Sequence, residues 1–146
     1  FRPTGVIHQF LFRALQGQSL AIYGHGRQCR DFVFIRDLLP AYVRLMEKVS
    51  RRSPGVVTVN IAGEACSINE LAQHCIEAVY QKTGVRVPLI HQTPRLESDA
   101  QKLDIDTGLL SELLGEWKPV SLRQGIEQTL ETLQKNVTNR GTCPYD

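Results

Sequence analysis

The sequence of 146 residues contains no apolar run near the ~20 residues that a membrane-spanning helix requires. Its first residues also lack the basic-then-apolar pattern of a signal peptide. The four cysteines form no CxxC pair and no regular framework, which is typical of free thiols in a reducing compartment. They are Cys29, Cys66, Cys75 and Cys143. We therefore expect a cytoplasmic protein without disulfides or a membrane partner.

Signals for metal or nucleic-acid binding are also missing. The formal charge of +2 is mild and dispersed, and RNP, homeodomain and zinc-finger signatures do not occur. The closest mixed pair of metal ligands, His25 and Cys29, supplies only two donors, whereas a structural zinc site takes four. The sequence therefore predicts neither a metal site nor a nucleic-acid partner.

Size and composition fit one globular domain. A chain of this length buries about two-thirds of its unfolded surface, and 42% hydrophobic with 22% charged residues is ordinary for a soluble protein. We find no repeat or linker, so the domain is expected to span residues 1–146. Residues 139–146 are expected to form a flexible tail.

The most informative stretch runs from Leu20 to Asp37. Residues 20–23 and 32–35 are apolar and suited to strands. Gly24 and Gly26 between them permit the positive φ angles of a tight turn. The pattern predicts a β-hairpin that faces a ligand.

Arg30 stands just before the second of these strands. Its guanidinium offers forked donors that suit a phosphate or a carboxylate. The alternative is an ordinary surface ion pair with Asp31 or Asp37. The residues alone leave both interpretations open.

Helical periodicity and capping signals recur along the chain. They predict helices over residues 6–15, from Asp37 as N-cap, from the Ser67–Glu70 capping box, from Thr107 to a stop at Gly115, and from the Ser121–Gln124 box.

Two further strands are predicted, at 56–61 and 85–90. The first is apolar throughout, as in a strand covered on both faces. A single strand of this kind cannot satisfy its own hydrogen bonds, so we expect its sheet to be completed outside this chain. The order of elements predicts an α/β fold.

Three stretches, in the same order, resemble the C-terminal half of extended short-chain dehydrogenases of the NAD-dependent epimerase/dehydratase family. They are GVIHQFLFRALQGQSLAIYGHGRQCRDFVFIRDLLPAYVRLME, VTVNIAGEACSINELAQ and PRLESDAQKLDIDTGLLSELLGEWKPVSLRQGIEQTL. The resemblance implies a substrate-binding lobe whose strands belong to an incomplete Rossmann sheet.

The resemblance implies a nucleotide-sugar site in this half. Ala21 would line the nucleobase pocket through its backbone and Tyr23 through its ring, while Arg30 would contact the diphosphate. Two arginines spread bidentate donors over a diphosphate better than one lysine does. Plain core packing remains the alternative for Tyr23.

Three more residues match the family pattern. Arg95 would make a second phosphate contact, and Asp99 would accept a hydrogen bond from the ribose or orient Arg95. Asn60 corresponds to a position near the diphosphate. The alternatives are a strand-end cap for Asn60 and a solvated loop charge for Asp99.

In relatives the preceding half binds NAD (or NADP) and oxidises the sugar to a 4-keto intermediate. Its GxxGxxG loop does not occur here. Its YxxxK pair is also missing, since Tyr42 is followed four residues later by Met46 and Tyr80 by Gly84. The resemblance therefore implies a fragment without catalytic residues or bound cofactor of its own. Its partners would be a nucleotide-diphosphate sugar, the N-terminal Rossmann half and, in the full-length protein, a second copy.

Two departures from the family pattern are present. His25 replaces an acidic turn residue, and the LGEWKP stretch is one residue longer than its counterpart. We interpret Trp117 as a core anchor. A non-catalytic nucleotide-sugar-binding or interaction module remains the alternative function.

Overall fold

The computed structural model describes residues 5–51, 55–93 and 104–140, with side chains described up to residue 135. Within these ranges the elements follow one another as α1 (Val6–Leu15), β1 (Leu20–Tyr23), β2 (Cys29–Phe32), α2 (Ile35–Val49), β3 (Glu64–Ser67), α3 (Ile68–Thr83), β4 (Leu89–Gln92), α4 (Gly108–Leu114) and α5 (Leu122–Arg140).

The predicted hairpin is wrong, because β1 and β2 pair with different strands. β1 is parallel to β4, with Leu20 opposite Leu89. β2 is antiparallel to β3, with Cys29 opposite Ser67. A tight hairpin turn has two residues, whereas residues 24–28 form a longer connection that contacts α3.

The second strand also ends earlier than expected. It covers Cys29–Phe32, and α2 begins at Ile35 with Phe34 as its N-cap. Asp37 therefore lies in the first turn of α2 and is not the cap. Its Oδ2 accepts a hydrogen bond from the backbone amide of Val120 at 2.9 Å.

The strand predicted at 56–61 does not form. Residues 56–63 have no regular secondary structure, and the Val56 side chain is 97% exposed. A strand needs a neighbour for its backbone groups, and none of the four described strands pairs with this segment. The strand predicted at 85–90 is displaced to Leu89–Gln92.

Two apolar clusters form the core. The larger joins α1, α3 and α5 with β1, and the smaller joins Ala41 and Leu45 of α2 to the leucines of α4. Trp117 packs against the smaller cluster, and its Nε1 donates to the Ala62 carbonyl at 2.6 Å. Its prediction as a core anchor is confirmed.

The ends of α3 follow the local signals, whereas the start of α4 does so only in part. The Ser67–Glu70 capping box forms as predicted, and α3 ends at Gly84 in the left-handed conformation. Thr107 precedes α4 but makes no side-chain cap, and Asp106 Oδ1 accepts from the Gly108 amide at 2.8 Å. α5 extends through Arg140, so residues 139 and 140 of the expected tail are helical. Residues 141–146 lie outside the described ranges.

Helices long and apolar enough to cross a membrane do not occur in the described ranges.

Candidate functional site

Tyr23 and Arg30 stand on either side of one turn, which comprises residues 24–28. Tyr23 is the last residue of β1, opposite Gln92 of β4, and its side chain is 39% exposed. Ala21 lies earlier on the same strand, half-buried and opposite Ile90. Side chains alternate between the faces of a strand, so Ala21 and Tyr23 lie on one face of β1. The arrangement places an accessible ring at one end of the turn.

Arg30 lies on β2 at the other end of the turn. It is half-buried, and its Nη1 donates to the Cys29 carbonyl at 2.8 Å. Residues directly opposite each other in an antiparallel pair share a face, so Arg30 shares its face with Cys66. A half-buried guanidinium is less screened by solvent than a surface one, which favours charge-assisted hydrogen bonds to an anion.

The two carboxylates near Arg30 hold loops together. Asp31 Oδ1 accepts from the Gly63 amide at 2.7 Å, and Asp37 Oδ2 accepts from the Val120 amide. These bonds join β2 and α2 to segments far away in the sequence. Each aspartate therefore has a structural role that the sequence did not indicate.

The turn between Tyr23 and Arg30 is braced from two sides. The Gly24 amide donates to the Gln92 carbonyl at 2.8 Å, and His91 Nδ1 donates to the Gly24 carbonyl at 2.9 Å. Asn69 Nδ2 donates to the His25 carbonyl at 2.9 Å. β4 and the start of α3 thus fix the backbone that connects the two candidate site residues.

All four amides at the start of α3 have acceptors. Ile68 donates to the Gln28 carbonyl and Asn69 to the Gly26 carbonyl, at 3.1 and 3.0 Å. Glu70 donates to Ser67 Oγ at 3.2 Å, and the Ser67 amide donates to Glu70 Oε2 at 2.8 Å.

A helix N-terminus binds phosphate through unsatisfied amides, so the start of α3 is not arranged to hold one. The Gly24–Gly26 turn leads into a strand, and two of its three carbonyls accept bonds from Asn69. It does not fit the pyrophosphate of a dinucleotide, which needs a glycine-rich turn opening a helix.

Of the other three candidate site residues, the structure describes only Asn60. Asn60 is exposed, and its Nδ2 donates to the Asp106 carbonyl at 3.0 Å, which ties it to the segment before α4. Its amide therefore has a structural partner in this structure. Arg95 and Asp99 lie outside the described residues.

The buried cysteines are poor nucleophiles. Burial, assisted by the charges of Glu70 and Glu64, raises the pKa of the Cys66 thiol to about 11. Burial also raises the pKa of Cys75 strongly. Thiolates are the reactive form, so both thiols are structural at neutral pH. Among the described residues no three metal-ligating side chains come together.

Sequence reasoning missed Asn69 and His91. Asn69 follows the capping serine directly, and its contact with His25 spans 44 residues. The contact of His91 with Gly24 spans 67 residues. No local pattern signals partners so distant, so neither residue was identifiable without the fold.

Comparisons with known proteins show which sequences and structures this chain is similar to. Residues 1–62 match the model of the NAD dependent epimerase/dehydratase family. UDP-glucuronic acid decarboxylase 2 of Arabidopsis thaliana is 32% identical over 133 residues, which cover 90% of this chain and 28% of that protein. The chain thus spans less than a third of the length of this relative.

Solved structures show the same relationship. UDP-glucose 4-epimerase from Thermotoga maritima, determined with UDP-glucose, is 29% identical with a TM-score of 0.75 over 94% of this chain and 41% of that one. UDP-glucuronic acid 4-epimerase from Bacillus cereus, in complex with NAD, is 26% identical with a TM-score of 0.69, over 91% and 41%.

The fold is therefore an α/β, partial Rossmann-like domain with a small parallel sheet, of the kind found in extended short-chain dehydrogenases. Within that group, the chain is similar to the NAD-dependent epimerases and dehydratases, through the family match of residues 1–62 and the likeness to a UDP-glucuronic acid decarboxylase.

Proposed function

We propose that this chain binds a nucleotide-diphosphate sugar as the substrate-holding part of an NAD-dependent epimerase or dehydratase. The observation that carries the proposal is the placement of Tyr23 and Arg30 at the two ends of one turn, which β4 and α3 hold by hydrogen bonds. An accessible ring suits stacking against a base, and a half-buried guanidinium suits a diphosphate. The relative from Thermotoga maritima, which has UDP-glucose bound, supports the choice of ligand.

Arg95 and Asp99 are proposed to complete the site from the segment before α4. Ala21 is proposed to contact the base through its backbone. Asn60 is proposed to lie near the diphosphate, at the point where its side chain joins the Asp106 carbonyl. These roles rest on the family pattern in the sequence.

The chemistry is assigned to a separate Rossmann half that binds NAD. We propose that this half packs against the outer face of α2, where Ile35, Leu39, Tyr42, Val43 and Met46 are each between 55% and 59% exposed. The opposite face of α2 is buried through Ala41 and Leu45 against α4. A continuous exposed apolar face marks an interaction surface.

This same face favours the second candidate function, a non-catalytic binding or interaction module. Both functions predict nucleotide-sugar binding, but only the first predicts activity when a Rossmann half is supplied. We propose a reducing, cytoplasmic location for either, supported by the free thiols of Cys29, Cys66 and Cys75.

Titration calorimetry with UDP-glucose tests the binding proposal. Arg30→Ala is expected to weaken binding roughly 10- to 100-fold, the effect of losing charge-assisted hydrogen bonds worth about 1.5–3 kcal/mol. Arg86→Ala is the control, because it removes the same charge from a residue that pairs with Glu77 and stacks on Tyr80. Equal affinity for Arg30→Ala and wild type contradicts the proposal.

An activity assay tests whether this chain only binds the nucleotide sugar or also transforms it. The chain mixed with NAD and UDP-glucose is expected to turn nothing over. Substantial turnover without an added partner contradicts the assignment of the chemistry to another polypeptide segment.

A further inference from the structure

Asn69 contacts the 24–28 turn through both its side chain and its backbone. Nδ2 donates to the His25 carbonyl, and the backbone amide donates to the Gly26 carbonyl. The side chain also packs against Gly26, where an added Cβ would collide with the Asn69 amide group. Gly26 has φ of +66°, so the turn both needs a glycine for its conformation and fits closely against this one side chain.

The turn is the only covalent connection between the two strands that carry Tyr23 and Arg30. Those strands belong to different sheets, so no hydrogen-bond ladder fixes their relative position. Ordering a mobile segment at the moment of binding costs affinity, and a segment that is already ordered avoids that cost.

We propose that Asn69 is a positioning residue for the nucleotide-sugar site: it holds the 24–28 turn so that the Tyr23 ring and the Arg30 guanidinium meet the ligand together. This inference rests on the proposed function. Asn69 itself acts through the turn and not by touching the ligand.

The role is separable from the stability of α3. The helix start is capped by Ser67 and Glu70, whose reciprocal hydrogen bonds do not involve the Asn69 side chain. Truncating Asn69 therefore leaves the cap and the backbone bond to Gly26 in place and removes only the side-chain contact with the turn.

The contact with the His25 carbonyl requires a hydrogen-bond donor, which the side-chain amide of Asn69 supplies. Nδ2 donates, and the His25 carbonyl can only accept. An aspartate has nearly the same shape but no donor, so it would place a carboxylate oxygen against a carbonyl. Asn69→Asp and Asn69→Ala are therefore both expected to weaken binding of the nucleotide sugar.

The experiment measures UDP-glucose affinity by calorimetry, the free energy of unfolding, and hydrogen exchange of the Gly24 amide, all on the 146-residue chain. Asn69→Ala and Asn69→Asp are each expected to weaken binding about 3- to 10-fold, the effect of one neutral hydrogen bond. Exchange at Gly24 is expected to speed up in both.

Thr83→Ala is the matched control, because it removes hydrogen bonds to Val79 and Val85 at the other end of the same helix. It is expected to lower stability without changing affinity or exchange at Gly24.

Each outcome has a distinct meaning. Wild-type affinity in both Asn69 variants overturns the inference and leaves the proposed function intact. Equal losses in Thr83→Ala and Asn69→Ala also overturn it, because the effect would then be one of general stability. Absence of UDP-glucose binding by the wild type overturns the proposed function, and the inference with it.

Discussion

The Asp31 carboxylate accepts a hydrogen bond from the backbone amide of Gly63 at 2.7 Å, and Gly63 lies so close to the Phe32 backbone that a Cβ would not fit. This contact joins β2 to the segment that precedes β3. It fixes the register in which Phe32 faces Glu64, and Arg30 faces Cys66 in the same ladder.

Replacing Asp31 is therefore expected to destabilise the fold. Asp31→Ala leaves the Gly63 amide without its partner, which costs about 1–3 kcal/mol, and Asp31→Asn is expected to cost less because an acceptor oxygen remains. Urea denaturation measures both. Glu47→Ala, on the exposed side of α2, is the control and should stay within about 0.5 kcal/mol of wild type. Equal stability of Asp31→Ala and Glu47→Ala would contradict this role.

The sequence predicted what is encoded locally. The start of α3 at Ser67 and the end of α1 before Gly17 depend on residues within one or two turns, and both are confirmed. The pairing of β1 with β4 brings together residues almost seventy positions apart, and no turn signal specifies it. The hairpin failed for this reason, although Tyr23 and Arg30 still lie on the two sides of the turn that suggested it.

The capping box predicts a specific acid dependence of stability. Hydrogen bonds from the Ser67 amide and hydroxyl lower the pKa of Glu70 below its usual value of 4.5. A carboxylate with a lowered pKa in the folded state contributes stability above its unfolded pKa and loses it as pH falls through the folded pKa.

Glu70→Gln should therefore be less stable than wild type at pH 7, and the difference should shrink below pH 4.5. Ser67→Ala should cost about 1 kcal/mol, the usual value of an N-cap, and should reduce the same pH dependence. Denaturant midpoints between pH 3 and 7 measure both, with exposed Glu47→Gln as the control. A pH-independent difference between Glu70→Gln and wild type would contradict the role of the charge.

The buried thiols predict a loss of stability at alkaline pH. Burial raises the pKa of Cys66 from an ordinary 9.0 to about 11. A raised pKa gives stability that is full below the unfolded value and is lost as pH rises through the folded value. The free energy of unfolding should therefore fall between about pH 9 and 11, and Cys66→Ala should flatten that fall.

Thiol labelling supplies an independent check. In a Cys143→Ser background at pH 8, half-buried Cys29 should react first, while Cys66 and Cys75 should react only on unfolding. Rapid labelling of Cys75 in the folded chain would contradict its burial.

The two faces of α2 predict opposite responses to the same substitution. Leu39 is 59% exposed on the outer face, whereas Leu45 is buried against α4. Leu39→Lys should change stability by no more than about 0.5 kcal/mol. Leu45→Lys should be severely destabilising, because it places a charge in the smaller cluster.

Association should follow the outer face as well. Sedimentation velocity on a dilution series should show less self-association for Leu39→Lys than for wild type, since the apolar face is interrupted. A wild-type chain that stays monomeric at all concentrations would argue against this face as a contact surface.

Gly26 packs closely against Asn69, and a comparison with Gly17 separates the cost of close packing from the cost of backbone strain. Gly17 and Gly26 have φ of +71° and +66°, so alanine at either position is strained by a similar amount, about 1–2 kcal/mol. A Cβ at Gly17 meets nothing within 4 Å, whereas one at Gly26 collides with the Asn69 amide. Gly26→Ala should therefore be the more destabilising by about 1–3 kcal/mol, the typical cost of overpacking.

In an Asn69→Ala background the colliding atoms are absent, so the additional cost of Gly26→Ala should disappear and approach that of Gly17→Ala. A double-mutant cycle measures this coupling directly. Additive effects of the two substitutions would mean that the turn moves away from α3 without cost, and Asn69 would then not be what holds Tyr23 and Arg30 in place.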